Sequence, residues 1–299
     1  MPKVIAAFAK SLARAAGFTI QTDGTVRSGE TIVYRCSIET GDHVDAEEFY
    51  TLLEWITRRQ PRRLTLVEAY AGTLQVDDLG ILANADRFAQ GELYPLASRM
   101  DDEEWWPAEA FPKIGATGYF GITAPEALGG SGLDVFTSGL ILQAFGRWNH
   151  ALALAWVAHE NLCLHNILRN ANREQQEKYV PGLCKGTQIG ALGLTEPGAG
   201  SDALGSMRTT ARREGGHYIL NGRKLYITNG PVADVLLVYA KTDRDKGAQG
   251  ISAFIVEKDF AGFKVAQKLT KMGFRGSQTA ELVFDDCRVP VENRVETVG

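Results

Sequence analysis

The amino-acid sequence predicts an α+β chain in three parts: a small α/β unit over residues 1–78, a helical domain over 79–187, and an antiparallel, barrel-like β-domain over 188–299. Three observations carry this expectation. Through 79–187 apolar residues recur at three- and four-residue spacing, the period of helices that bury one face. From Gln188 onward the pattern changes to short alternating runs, punctuated by the hairpin signals Gly215-Gly216 and Asn221-Gly222. Ahead of both, Thr31–Ile38 (TIVYRCSI) is β-branched and alternating, and Asp45–Arg59 places Phe49, Leu52, Leu53 and Ile56 on one helical face behind an Asp cap.

Taken in order, Met1–Phe18 is basic, lacks acids and spaces Val4, Phe8 and Leu12 as a helix does. That resembles a mitochondrial presequence, but its scarcity of Ser and Arg favours a first amphipathic helix. Leu64–Val76 reads as a strand pair broken near Gly72. In the second part, ILANADRFAQGELYPLA is helical until Pro95 interrupts, and Phe136–Trp148 and Ala151–Leu168 follow as longer helices, with a Gly-rich turn at Gly129–Gly132 between. In the third part, strands are expected at Met207–Arg213, His217–Leu220, Val235–Ala240, Ile251–Glu257, Phe263–Gln267 and Glu281–Phe284. The short connections argue against parallel crossovers. The absence of a GxGxxG after a strand argues against a Rossmann-type nicotinamide site.

A hydrophobic fraction of 44% with 23% charged residues is that of a soluble globular protein. A formal net charge of −4 gives no electrostatic reason to expect nucleic acid. No apolar run reaches the roughly 18 residues that a membrane-spanning helix needs. Cys36, Cys163, Cys184 and Cys287 stand far apart, so no metal site or redox pair is expected; reduced thiols point to an intracellular setting, cytoplasmic or, alternatively, the mitochondrial matrix.

Three stretches are candidates for chemistry. In LGLTEPGAGSD a strand ends at Leu194, and Thr195, Glu196 and Pro197 lead into Gly198, Ala199, Gly200, Ser201 and Asp202. Small residues in turn conformation let backbone N–H groups approach an anion, and the Thr195 and Ser201 hydroxyls can donate to a phosphate or a heterocycle carbonyl. A plain glycine turn presents the same residues. In Tyr226-Ile227-Thr228-Asn229-Gly230 strand alternation puts Tyr226 and Thr228 on one side and Ile227 on the other, either for a planar ligand or as a surface pair before an Asn-Gly turn. In Lys271–Pro290 (KMGFRGSQTAELVFDDCRVP), Arg275 between Gly273 and Gly276 can hold a phosphate or pair with a neighbouring carboxylate and fix its loop, and the structural role is the favoured reading.

LGLTEPGAGSD, GHYILNGRKLYITNG and KMGFRGSQTAELVFDDCRVP resemble the acyl-CoA dehydrogenase family in order and spacing, as do AHENLCLHNILRNANREQQEKYVPGL, ADVLLVYAKTD and GISAFIVEK. The branch they look most like acts on isovaleryl-CoA. The resemblance covers Leu79 to Gly299; Met1–Asp78 does not share it. It implies a helical N-terminal domain, a middle β-domain and a C-terminal four-helix domain, with FAD between the last two. Leu192, Gly193 and Leu194 through Ser201 would then line the flavin and its pyrophosphate. Thr195 would hold the isoalloxazine ring, and Thr228, beside Ile227, would bond near N5. Ser201 would also touch the acyl-CoA, joined by Ala248 and Gln249. Tyr226 stands where the family usually has Trp, which keeps the aromatic packing with a smaller ring.

The family reaction is α,β-dehydrogenation of an acyl-CoA thioester, in which a glutamate removes the α-proton, a hydride passes to FAD, and an electron-transfer flavoprotein is the reoxidant. The resemblance places that glutamate beyond Gly299. No catalytic residue is therefore expected within the chain, and little turnover is expected of it alone. Homo-oligomers are implied where the C-terminal domain is present. A flavin oxidase or monooxygenase on the same scaffold, and a non-catalytic flavin- or acyl-CoA-binding scaffold, are the alternatives.

Overall fold

The computed structural model describes residues 76–295, with side chains from residue 80, and the short strands within 19–44. The chain divides into two compact units, Met1–Gly80 and Ile81–Gly299. In the first, β1 (Thr19–Ile20), β2 (Thr25–Ser28) and β3 (Thr31–Arg35) form an antiparallel sheet, and β4 (Ile38–Glu39) pairs with β5 (His43–Val44). The expected strand over Thr31–Ile38 is thus divided between β3 and β4. The helices expected at Met1–Phe18 and Asp45–Arg59 and the strand pair before Val76 lie outside the described residues.

Helix α1 (Val76–Phe88) runs into a π-turn at Ala89–Leu93, a 3-10 turn at Tyr94–Leu96 and α2 (Ala97–Asp102). Pro95 does not end the helical run, contrary to expectation. It sits at the first positions of the 3-10 turn, where a missing N–H and a fixed φ cost nothing. After α3 (Ala110–Ala116), Asp134 caps α4 (Val135–Trp148) by accepting from Thr137 N at 2.8 Å. Asn149 ends that helix and caps α5 (His150–Val157), accepting from Leu152 N at 3.0 Å. The helical path continues through a π-segment, Ala158–Leu164, into α6 (His165–Asn170). Helix α7 (Arg173–Cys184) opens with a capping box formed by Asn172 and Gln175. Phe111, Phe120, Phe145 and Trp156 fill the core of this layer. Among the described residues no helix is long and apolar enough to cross a membrane.

The β-layer contains β6 (Gly190–Gly193), β7 (Thr210–Glu214), β8 (His217–Thr228), β9 (Val235–Lys241), β10 (Ile251–Glu257), β11 (Phe263–Lys268), β12 (Thr279–Pro290) and β13 (Arg294–Val295). The order is β11-β12-β8-β7-β9-β10-β13, with β6 paired to β9. This corrects two expectations. The sheet is open, with edge strands rather than barrel closure, and it is mixed, because β6 and the start of β7 both run parallel to β9. The parallel partners are not consecutive. Residues 194–234, including the β7–β8 hairpin, form the crossover, so short neighbouring connections did not exclude it.

The Gly215-Gly216 hairpin forms as expected, with Gly215 at φ 59°. Asn221-Gly222 is not a turn: β8 continues through it. Gly222 adopts φ 153°, and a Cβ there would lie 2.7 Å from Thr209 Cα, so only glycine lets the segments approach. Asn221 instead bonds the bulge in β12: its Nδ2 donates to Asp286 Oδ1 and its Oδ1 accepts from Asp286 N, both at 2.9 Å.

Two buried side chains on the π-segment fasten this architecture. His159 accepts at Nδ1 from Gly190 N (2.9 Å) and faces Leu183 O through Nε2 (3.1 Å), joining helices to β6. Burial pushes its pKa down to about 3, so the ring is neutral. Glu160 accepts from Gly121 N (2.7 Å) and Ile122 N (2.8 Å), anchoring the segment that leads to the Gly129–Gly132 turn. Burial pushes its carboxyl up to about 7 against the pull of those two N–H groups. Between the ordinary carboxylate range and about 7, the folded state therefore binds a proton that the unfolded state has released. Glu160's contribution is complete in acid and lost as pH rises through that window. Urea unfolding should show wild type losing roughly 2–3 kcal/mol relative to Glu160→Gln between about pH 5 and about pH 8. A pH-independent difference would contradict this assignment.

Candidate functional site

Strand β6 delivers the chain to a tight turn. Glu196 and Ala199 exchange backbone hydrogen bonds (3.0 and 3.1 Å) around Pro197 and Gly198. Gly193 is packed: a Cβ there would press on Val238 Cγ2 at 3.2 Å. Gly198 and Gly200 differ, since an added Cβ at either would meet nothing within 4 Å, and neither has a positive φ. Among the described residues nothing requires glycine at these two positions. Their smallness leaves free space in front of exposed backbone.

That backbone has unused donors. Among the described residues, the N–H groups of Gly198, Gly200 and Ser201 find no protein acceptor, and the hydroxyls of Thr195, Ser201 and Thr228 make no hydrogen bond. Open N–H groups and hydroxyls beside glycines with free space in front of them have the chemistry of an anion cradle.

The second candidate stretch lies against the first. Leu225 N donates to Thr195 O at 2.9 Å. Directly after it, β8 carries a bulge: Leu225 and Tyr226 oppose the single residue Glu281 on β12. Tyr226 adopts φ 61°, a conformation that costs a non-glycine residue on the order of 1 kcal/mol, and the residue is 67% exposed. Ile227 is buried and Thr228 half-buried, so the expected alternation holds, though a bulge rather than a regular strand re-aims Tyr226. Leu192 and Leu194 are half-buried, Pro197 is exposed, and Ala199 turns its side chain inward. Ala248 and Gln249 are exposed on the turn Gly247–Gly250, which packs on the short helix α8 (Ala203–Ser206) just after Ser201. Arg275 pairs with Glu104 at 3.5 Å, the loop-fixing role read from its sequence context.

Sequence reasoning missed the group that holds the two stretches together. Lys224 is 0% exposed and donates to Glu196 Oε1 (2.8 Å) and to Leu194 O (3.1 Å). Glu196 also accepts from Thr209 N (3.0 Å) and Arg208 N (2.6 Å). Burial alone would raise its pKa, but the Lys224, Thr209 and Arg208 donors hold the carboxyl below its usual range. An ionised carboxylate committed to three donors is an anchor rather than an available base. The available signal was a lysine in the two-residue phase of Tyr218 and Leu220, on the inward side of β8. Removing one partner of a buried pair strands the other charge, so Lys224→Met should destabilise the fold by about 3–5 kcal/mol in chemical denaturation. A loss below about 1 kcal/mol would show that the pair does not anchor the turn.

Two family models match the chain: the acyl-CoA dehydrogenase N-terminal domain over residues 77–187 and the acyl-CoA dehydrogenase middle domain over 191–287. The chain belongs to the acyl-CoA dehydrogenase family, and its helical and β-layers are the N-terminal and middle domains of that fold. It is 47% identical to mitochondrial isovaleryl-CoA dehydrogenase of Pongo abelii over 69% of this chain and 50% of that protein. Butyryl-CoA dehydrogenase from Megasphaera elsdenii superposes with a TM-score of 0.72 at 37% identity, covering 75% of this chain and 59% of that one. A glutaryl-CoA dehydrogenase from Mycobacterium smegmatis, solved in complex with FADH2, superposes at 0.70 with 32% identity, covering 75% and 56%. The chain thus spans about half the length of the curated relatives it matches.

Proposed function

We propose that the cradle from Leu192 to Ser201 and the bulge at Tyr226–Thr228 seat FAD, and that the chain supplies the cofactor- and thioester-binding part of an acyl-CoA dehydrogenase acting on short or branched acyl groups such as isovaleryl-CoA. The observation that carries this reading is the row of unsatisfied donors around two glycines that the fold itself does not need. FAD, when bound, supplies the acceptor for the hydride leaving Cβ of the acyl group.

The residues of the chain bind and orient. N–H groups of Gly198, Gly200 and Ser201 donate to the pyrophosphate, with Leu192 and Gly193 fixing the strand end behind them. The Thr195 and Thr228 hydroxyls donate to the ring system, and Tyr226 packs beside it. Ser201, Ala248 and Gln249 face the thioester ligand. Glu196 and Ile227 act through position, their side chains being turned inward. No residue among those described is assigned as the base for the Cα proton, since Glu196 is held by Lys224 and two backbone N–H groups. An electron-transfer flavoprotein as reoxidant and a homo-oligomeric assembly belong to the same proposal.

Refolding the 299-residue chain with FAD, followed by flavin absorbance after gel filtration, tests this reading. Wild type should retain the yellow cofactor. Gly198→Val and Gly200→Val should weaken retention at least about tenfold while leaving unfolding free energy within about 0.5 kcal/mol, because each new side chain enters open space. Colourless wild-type protein, or valine variants that bind flavin normally, would refute the assignment. Anaerobic isovaleryl-CoA should not bleach the bound flavin rapidly; fast bleaching would reveal a base within the chain.

A further inference from the structure

Between α3 and α4 the chain folds back on itself over residues 119–133. Gly130 N donates to Pro125 O (3.2 Å), Ser131 N to Gly121 O (3.0 Å), Gly132 N to Ala124 O (2.8 Å) and Leu133 N to Ile122 O (2.8 Å). The two arms cross at glycines. A Cβ on Gly130 would run into Gly121 O and Ala124, and one on Gly121, at φ 67°, into Cys184 Sγ. The loop is thus a compact unit closed by its own backbone. It delivers Asp134, the cap of α4, together with the exposed apolar side chains Leu133 and Val135.

Side chains along the path from α5 to α6 fasten this loop. Trp156 Nε1 donates to Tyr119 O (2.7 Å), His165 Nδ1 meets Thr123 Oγ1 (2.7 Å), and Glu160 accepts from Gly121 N and Ile122 N. Glu160 differs from the other two. It is 1% exposed, both its oxygens are turned to the loop, and among the described residues no cation faces it. Its titratable neighbours are neutral. On its own segment stands His159, with its depressed pKa, and on α7 the Cys184 thiol, pushed up to about 12 by burial and by Glu160 itself. A carboxylate formed in this place has two N–H donors but no counter-charge, and it gains hydration if the loop lifts and admits water.

We propose that Glu160 is a pH-sensitive latch: raising the pH through neutrality opens the loop 119–133 while the rest of the fold stays closed, and so loosens the apolar surface at Leu133 and Val135. The direction follows from proton linkage. The closed loop holds the carboxyl up at about 7, and opening returns it to the ordinary carboxylate range, so opening releases a proton and becomes easier as pH rises. His165 works the other way. Burial and Arg169 lower its pKa, so its protonation loosens the loop in acid.

Native-state hydrogen exchange at about pH 6 and about pH 8, in low concentrations of urea and corrected for the intrinsic rate at each pH, tests the latch. The amides of Ser131, Gly132 and Leu133 report the loop, and those of β9 report global unfolding. Loop protection should lie below that of β9, fall about tenfold between the two pH values, and depend little on urea, as a local opening does. In Glu160→Gln the loop's protection should not vary with pH. Wild-type loop protection that is constant with pH would overturn the latch. Protection that matches β9 in level and in urea dependence would show that only global unfolding frees the carboxyl, and would overturn it too. So would a Glu160→Gln variant that keeps the wild-type pH dependence. Should that variant fail to fold, the wild-type comparison of the loop with β9 decides.

Discussion

The buried pair of Lys224 and Glu196 is the interaction on which the site depends. Withdrawing two charges from water costs several kcal/mol, and the attraction between them repays this only when the remaining polar atoms are satisfied. Here they largely are. Glu196 uses both oxygens, Oε1 for Lys224 and Thr209 N and Oε2 for Arg208 N, while Lys224 spends a second donor on Leu194 O. One side chain from the middle of β8 thereby fixes the end of β6, the following turn and the entry to β7. These are the segments that a ligand at the exposed glycines would touch. A hydrophobic replacement would satisfy none of these polar backbone groups, which is a physical reason for an ion pair in this place.

The helical layer reaches the same region through a second set of buried polar groups. Asn229, at φ 64°, donates to Ala155 O (2.8 Å) and Gly190 O (3.1 Å), linking α5 to β6 one residue beyond Thr228. His159 meets β6 from the π-segment through Gly190 N. The strand leading to the cradle is thus gripped on its N-terminal side by helices and beyond its end by β8. With such support the N–H groups of Gly198, Gly200 and Ser201 are held in place without being used by the protein, the preorganisation that a binding site requires.

Much of this was legible in the sequence where a period survives intact. The helix expected at Phe136–Trp148 differs from α4 by one residue, and Ile251–Glu257 coincides with β10. The twelve-residue strands β8 and β12 show in the sequence only as fragments, because their bulges break the two-residue period. At Asn221-Gly222 a turn-like dipeptide serves bulge pairing instead. The loop after β6 announced itself by composition, since glycines flanked by hydroxyls are a local feature. Lys224 was not legible as an anchor, because its partner lies a hairpin away. The approach of the start of β7 to β9 was equally hidden, since it arises from parallel pairing across residues that themselves form other strands. Burial of a charge and non-local register are tertiary facts, and a local pattern reports neither.

The central claim is that the turn after β6 and the bulge in β8 together receive the flavin. Hydrogen–deuterium exchange of the chain with and without FAD addresses it at the backbone. FAD should slow exchange in a peptide spanning Thr195–Ser201, where the Gly198, Gly200 and Ser201 N–H groups find no acceptor among the described residues, and in a peptide spanning Tyr226–Thr228, with little change elsewhere. Exchange unchanged in both peptides, with protection elsewhere or nowhere, would contradict it.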